Sequence, residues 1–346
     1  MVSNFASDNV SGTSPEIIAA LLAASECQAM PYGADKWTLQ LEKEFSTLFE
    51  TNVLIFPVAT GTAANALALG ALTPSHGAIY CHEHSHAHID ECGAPEFYSG
   101  GAKMIGVNGP GGKIDINSLS SLLENSRPHG VHNVRPTTLT LSQATESGTI
   151  YSVNELKNLT KLAHNHKMMV HMDGARFANA LAHQNISPAD ATWKCGIDVL
   201  SFGATKNGAL AAEAVIFFTT KIATEFGESR KRGGHLLSKM RFVSAQLSAY
   251  INNGLWLANA NVANNAAQRL SEGLRKISCS RIVNPIEANE VFIELPEYII
   301  EKLENDGFGF YRMTQNNVIR LVTSFNTADS DVDEFIKAVR EYNTKI

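Results

Sequence analysis

Over roughly its first 220 residues the chain alternates short apolar runs with longer segments whose apolar residues recur at helical spacing. That alternation restricts it to α/β architecture. The strand-like runs are NVLIFPV, GAIYC, TLTLS (138–142), MMVHM, DVLSFG and EAVIFF. Between them, PEIIAALLAASE, KWTLQLEKEFSTLFE, the stretch from about Thr62 to Leu72, and VNELKNLTKLAHNHK read as helices, the first with Ser14 as N-cap and Pro15 at the first helical position. The pattern changes after about residue 228. Two long helical stretches, KMRFVSAQLSAYINNG and LWLANANVANNAAQRLSEGLRKI, could bridge two domains. Beyond them, strand-like 291–295 and 318–324 and helical 297–305 and 330–344 fit a small α+β unit. At 346 residues the chain exceeds what one core usually supports. The expected division is an arm (1–15), a large domain (16–255) with a mostly parallel sheet, and a small C-terminal α+β domain (256–346).

Composition removes several function classes. No apolar run reaches the roughly 18 to 20 residues of a membrane helix, and MVSNFASDNVSG does not read as a secretory signal, so a cytoplasmic location is expected. The net charge of −6 comes without a basic stripe, Arg230, Lys231 and Arg232 forming only a short cluster, which argues against nucleic acid as a partner. Five cysteines without a C-x-x-C pair fit reduced thiols.

Lys206 sits in FGATKNG between two apolar runs. Burying an ammonium costs several kcal/mol, so the side chain must reach solvent or be used for its amine. Three other stretches bear on that choice. In FPVATGTAANALALGAL a strand turns at Gly61 and Thr62 into a helix whose free N–H groups could cradle a phosphate, although the same pattern serves a plain capped helix. In MMVHMDGARF, Asp173 directly follows a strand, where open α/β sheets bind ligands. The bland alternative has Asp173 capping the next helix and Arg176 pairing with it. In CHEHSHAHIDEC, His82, His84, His86 and His88 would share one face of a strand, but no four-ligand spacing is fixed, and one stacking histidine is the preferred reading over a metal site. GVNGPGGKID is a turn, since a P-loop needs glycine at Val107 and Ser or Thr at Ile114. A phosphate cradle, a strand-end aspartate and a lysine after a later strand are the fixtures pyridoxal phosphate (PLP) requires. Lys206 would form the Schiff base, Asp173 would hold a proton on the pyridine nitrogen, and Gly61 and Thr62 would take the phosphate.

The stretches FASDNVSG, PYGADKWTLQLE, ATGTAAN, HSHAHIDECGAPE, HMDGARF, FGATKNG and IRLVTS stand in an order and approximate spacing that resemble the threonine aldolases among fold-type I PLP enzymes. The resemblance implies a PLP-dependent aldolase that splits L-threonine or L-allo-threonine into glycine and an aldehyde, with phenylserine as a further candidate substrate. It implies that His86 stacks on the cofactor ring. Arg176, beside the cofactor, would grip the substrate carboxylate with Ser7 and Arg320, and His132 would reach the β-hydroxyl. Arg241 and Lys231 fall near phosphate contacts that members take from a neighbouring subunit. Family members are dimers or tetramers, so the resemblance implies a homo-oligomer with its site near the interface. The chain departs from the family's Glu-Ala-Gly-Gly run at 91–95 and from its Gly-Gly-Gly-Met-Arg run before Arg241.

Cleaving Cα–Cβ also needs a base for the β-hydroxyl proton, for which His132 or His86, directly or through water, has a suitable ordinary pKa of about 6.5. Two alternatives remain open at this point. A PLP-dependent β-eliminating lyase or aminotransferase would share the lysine and aspartate, and a non-catalytic PLP-binding protein would share the scaffold. A nicotinamide enzyme is disfavoured because no G-x-G-x-x-G follows a strand and opens a helix.

Overall fold

The computed structural model describes residues 3–313 and 317–344. Strands β1 (Leu54–Val58), β2 (Gly77–His82), β3 (Lys103–Val107), β4 (Arg135–Ser142), β5 (Met169–Gly174), β6 (Val199–Gly203) and β7 (Glu213–Phe217) form one sheet in the order β1-β7-β6-β5-β4-β2-β3. Only β7 runs antiparallel to its neighbours, β1 and β6. Because β1 and β6 therefore point the same way as the rest, the carboxyl ends of six strands and the start of β7 share one edge.

Around the sheet lie α1 (Pro15–Ser25), α2 (Lys36–Leu48), α3 (Gly61–Leu72), α4 (His86–Ile89), α5 (Ala94–Tyr98), α6 (Ile116–Glu124), α7 (Val153–Asn165), α8 (Phe177–Gln184), α9 (Phe226–Arg232) and α10 (Arg241–Ile251). Strand period decides which face each residue serves. Ala214 and Ile216 of β7 join the core built with α2, α6, α7, α8 and α10, while Val215 and Phe217 join the one built with α3 and α9. Both faces are thus covered, which is why these strands read as unbroken apolar runs. Phe202, at the end of β6, meets the rings of Phe45 at 5.2 Å and Trp256 at 5.8 Å. Burying such a ring is worth about 1.5–3 kcal/mol, and here it anchors the strand that leads into Lys206.

The long helix α11 (Leu255–Leu274) contributes Trp256 and Ala260 to the main core and Leu270 and Leu274 to a second one. That second core packs a four-stranded antiparallel sheet, β10-β11-β9-β8, made of β8 (Arg281–Ile282), β9 (Glu290–Glu294), β10 (Tyr311–Arg312) and β11 (Val318–Val322), against α12 (Glu297–Asn305) and α13 (Asp329–Asn343). The N-terminal segment is tied to this sheet, Phe5 donating to the Gly309 carbonyl at 2.7 Å and accepting from the Val322 N–H at 2.8 Å.

Three local expectations are corrected. β3 was not anticipated because its buried residues are interrupted by an exposed Lys103 and Gly106 at the sheet edge. The alternating histidines do not share a strand face: β2 ends at His82, the chain turns with Ser85 N–H on the His82 carbonyl, and His86 and His88 lie on α4. Ser14 is the N-cap residue of α1 with Pro15 at its first position, as expected, but its side chain accepts a hydrogen bond from Asn259 at 3.0 Å instead of capping the helix. Among the described residues no helix is long and apolar enough to cross a membrane.

Candidate active site

At the carboxyl edge of the sheet lies a cavity of about 280 Å³ lined by Thr60, Gly61, His86, Asp173, Arg176 and Lys206, among others. This is near the lower end of small-molecule pockets, about 300 Å³. A wider cleft of about 490 Å³ beside the Gly-rich turn at 110–116 gathers no such chemistry, its Lys113 being paired with Glu155 at 3.1 Å.

Lys206 projects from the short turn Thr205–Asn207 that follows β6. The turn is pinned from behind: the Asn207 side chain donates to Tyr250 Oη at 2.7 Å and to the Trp256 carbonyl at 2.8 Å. Gly208, at φ +110°, lets the chain reverse tightly against Ser14 and Asn259, a conformation a side chain would strain. Glu213, on the first position of β7, accepts the N–H groups of Ala204 at 3.2 Å and Thr205 at 3.3 Å. Burial pushes its carboxyl up to about 7 against the opposing pull of Thr205 and Lys206.

Asp173 is the penultimate residue of β5, two residues before Ala175, which a Cβ on Gly203 would meet at 2.7 Å. Its Oδ1 accepts the Ala175 N–H at 3.0 Å and its Oδ2 accepts from Asn65 Nδ2 at 2.7 Å. Asn65, on α3, also donates to Glu91 Oε1 at 2.8 Å, and Glu91 meets His86 Nδ1 at 2.9 Å. Asp173, Asn65, Glu91 and His86 therefore form one chain, buried except at His86. The Glu91 contact, opposed by burial and helped by Asp173, raises the basicity of His86. Burial raises the Glu91 carboxyl as well, although its bond to His86 pulls it down.

Arg176 does not pair with Asp173. Its guanidinium forks onto Asp8 from the N-terminal segment, Nε to Oδ2 at 2.8 Å and Nη2 to Oδ1 at 3.2 Å, and its Nη1 lies 3.5 Å from Glu290. Burial alone would raise the Asp8 carboxyl, but Arg176 and Lys206 outweigh it and hold it below the usual range. Arg320 on β11 faces the other oxygen of Glu290 at 3.9 Å and donates to the Ala6 carbonyl at 3.4 Å. Buried Glu290, on β9, thus stands between the two guanidiniums.

The remaining sequence-derived candidates lie elsewhere in the chain. Ser7 accepts from the Asn9 N–H at 3.2 Å, capping the turn that carries Asp8. His132 is exposed on the turn Gly130–His132 that precedes β4, at the edge opposite the cavity. Lys231 lies over the Tyr32 ring at 4.6 Å, and Arg241 donates to the Ala24 carbonyl at 3.1 Å. Neither lines the cavity. Sequence reasoning missed Asn65, Glu91, Glu146, Glu213, Asp8 and Glu290. Asn65, Glu91 and Asp8 stand inside the stretches ATGTAAN, HSHAHIDECGAPE and FASDNVSG, so their proximity to His86 and Ser7 was a usable signal.

The donor set fits PLP. The first turn of α3, capped by Thr60 Oγ1 accepting the Ala63 N–H at 3.2 Å, leaves the N–H groups of Gly61 and Thr62 for an anion, because a helix cannot pair its first-turn donors internally. No Cβ at Gly61 would touch anything within 4 Å, so the approach is open. Among the described residues no group of three or more His, Cys, Asp or Glu is arranged to hold a metal ion.

Comparison with known proteins agrees with this chemistry. Residues 4–297 match the family described as "Beta-eliminating lyase". Low specificity L-threonine aldolases of Pseudomonas sp. and Pseudomonas aeruginosa are each 40% identical over 336 residues, 97% of this chain and 96% of theirs. A solved structure of Leishmania major threonine aldolase aligns with TM-score 0.92 at 25% identity, covering 99% of this chain and 100% of that one. A methionine aminotransferase structure from Escherichia coli shares the fold alone, with TM-score 0.72 at 14% identity over 99% of this chain and 93% of that one.

Proposed function

Because the chain belongs to the beta-eliminating lyase family, we propose that it is a PLP-dependent aldolase that cleaves L-threonine and L-allo-threonine to glycine and acetaldehyde. One observation carries the reading: Lys206, Asp173 and the start of α3 line a single cavity at the carboxyl edge of the sheet. When bound, PLP supplies an aldehyde for an amine and a ring that takes up the electron pair released from Cα–Cβ.

The chain's own residues would do the rest. Lys206, on its pinned turn, holds the aldehyde. The first turn of α3 receives the phosphate. Asp173, fixed by Asn65 and Ala175, would hold a proton at the ring nitrogen, and the His86 ring, fixed by Glu91, would help hold the cofactor. Arg176 and Arg320, set by Asp8 and Glu290, would take the substrate carboxylate and so orient the Cα–Cβ bond for cleavage. Ser7 sits behind Asp8 on the same wall.

The test is to incubate PLP-loaded protein with L-threonine, L-allo-threonine and L-phenylserine. Glycine and the matching aldehyde are expected; keto acid plus ammonia would make it an eliminating lyase or aminotransferase instead. We further propose a homo-oligomer with the site near the subunit interface. Lys231 and Arg241 lie off their own chain's cavity, and large apolar side chains such as Val131 (90% exposed) and Phe97 (77%) are open to a partner. Light scattering on the same preparation should give more than one chain's 37.5 kDa. Its five unpaired thiols support a cytoplasmic location.

Arg320→Lys should raise KM for threonine and cost about 2 kcal/mol in kcat/KM, because an ammonium cannot reproduce the planar fork that binds a carboxylate through two donors. PLP content should stay at the wild-type level. Steady-state kinetics check this, and unchanged constants would remove Arg320 from the carboxylate site.

A further inference from the structure

Aldol cleavage needs a group to accept the β-hydroxyl proton, and the cavity narrows the choice. Lys206 and Asp173 are committed to the cofactor, and Arg176 is a cation forked onto Asp8. Glu91 Oε2 also lacks a partner among the described residues, but Glu91 is bound through Oε1 to His86 and Asn65 in the chain that ends on Asp173, which places it at the ring-nitrogen end of the site. Glu213 is turned onto the backbone behind Lys206. His86 has Nδ1 on Glu91, and its ring is assigned to the cofactor. His132 is at the far edge of the sheet.

Glu146 remains. It follows β4 on the loop that faces α4, and it lines the cavity. One oxygen, Oε1, is fixed by the His86 N–H at 2.7 Å and the Ser142 hydroxyl at 2.8 Å. The other, Oε2, is buried and has no hydrogen-bond partner among the described residues. A buried carboxylate oxygen with no donor carries a desolvation cost that a substrate hydroxyl would relieve. The anchoring bond also fixes Glu146 to the wall that carries His86. A substrate bound beside His86 in this cavity would have its β-hydroxyl near that wall.

Resting on the aldolase reading, we propose that Glu146 is the catalytic base, its Oε2 accepting the β-hydroxyl proton as Cα–Cβ breaks. The O–H pair becomes the second bond of the aldehyde C=O, and the Cα–Cβ pair stays with Cα. Cα then takes a proton from solvent to give glycine, and Glu146 releases its own to solvent, restoring the carboxylate. The charged or titratable groups facing Glu146 are His86, Asp173, Arg176, Cys81 and Tyr151. Burial pushes its carboxyl up to about 7, with the His86 N–H opposing and Asp173 adding to the rise. Such a base is matched to neutral pH and must be ionised to act, so kcat/KM should rise with pH through about 7.

The experiment compares wild type, Glu146→Gln and Glu146→Asp as PLP-loaded full chains. Glu146→Gln should lower threonine cleavage on the order of 10²-fold or more and lose the acidic limb of the pH profile. Its PLP content should be unchanged, and so should exchange of the glycine α-proton in heavy water, which involves no β-hydroxyl. Glu146→Asp should keep the acidic limb at a reduced rate. Carbon-13 NMR of glutamate-labelled protein should show, with and without PLP, two carboxyls titrating near 7, those of Glu146 and Glu213, of which one vanishes in Glu146→Gln. Cleavage at the wild-type rate in Glu146→Gln, equal losses of cleavage and glycine exchange, or loss of PLP would each overturn the proposal. Failure of the aldolase reading itself would look different: wild type would release no glycine from threonine.

Discussion

Lys206→Ala is expected to abolish covalent retention of PLP and lower threonine cleavage by about 10³-fold or more, roughly 4 kcal/mol in the barrier. The fold should survive. The turn that carries Lys206 is held by Asn207 on Tyr250 and Trp256 and by Asn259 on the Asn207 carbonyl, none of which uses the lysine amine. The lysine stands in a field of acidic groups, acting on Asp8, Glu213 and Glu290, so its removal takes one cation from a cluster of buried carboxyls. Borohydride reduction followed by peptide mapping checks the assignment: the pyridoxyl group should sit on Lys206 in wild type and nowhere in the variant. Label on a different lysine of the wild type would move the site.

Asp173→Asn should retain PLP through Lys206 and the start of α3 yet lose about 10²-fold or more in turnover, because an amide cannot hold a proton at the ring nitrogen as a carboxylate does. Local packing adds to the loss. Both Asp173 oxygens accept, one from Ala175 N–H and one from Asn65 Nδ2. An asparagine leaves one of those donors facing an amide NH₂, at about 1–3 kcal/mol for the unmet buried group. The absorbance of bound PLP and kcat on threonine read the two effects separately. A variant that turns over at the wild-type rate would take Asp173 off the ring nitrogen.

Strand Met169–Gly174 runs straight into Asp173, strand Val199–Gly203 runs within three residues into Lys206, and helix Gly61–Leu72 starts one residue after Thr60. Each of these is a strand end with its adjoining loop or helix start, written in consecutive residues, and a parallel sheet brings such ends to one edge whatever the details of packing. For that reason the α/β class and the gathering of Lys206, Asp173 and the start of α3 at one cavity were legible in the sequence, whereas Arg320, in the middle of β11, was reached through the resemblance alone. The histidine run shows the limit of the same reasoning. Alternation implies a shared face only if the strand continues, and here it stops at His82.

The acidic groups were another matter. Asp8 reaches Arg176 across 168 positions, Glu146 reaches the His86 backbone across 60, and Glu290 faces Arg320 of its own sheet and Arg176 from beyond β5 of the other. A carboxylate in a turn or at the start of a strand reads as a solvated surface residue until the chain closes over it, since only burial makes its partner or its lack of one matter. His132 marks the reverse case: three residues before a strand, it lies at the wrong edge for the cavity, because strand direction is a property of the assembled sheet. The sequence by itself determined which groups arrive at the carboxyl edge, since local strand-to-loop order sets that. Tertiary structure alone decided which carboxyls surround them, how each is paired, and that Glu146 and Glu91 each keep an oxygen without a partner among the described residues, because those contacts join segments that only long-range packing brings within hydrogen-bond distance.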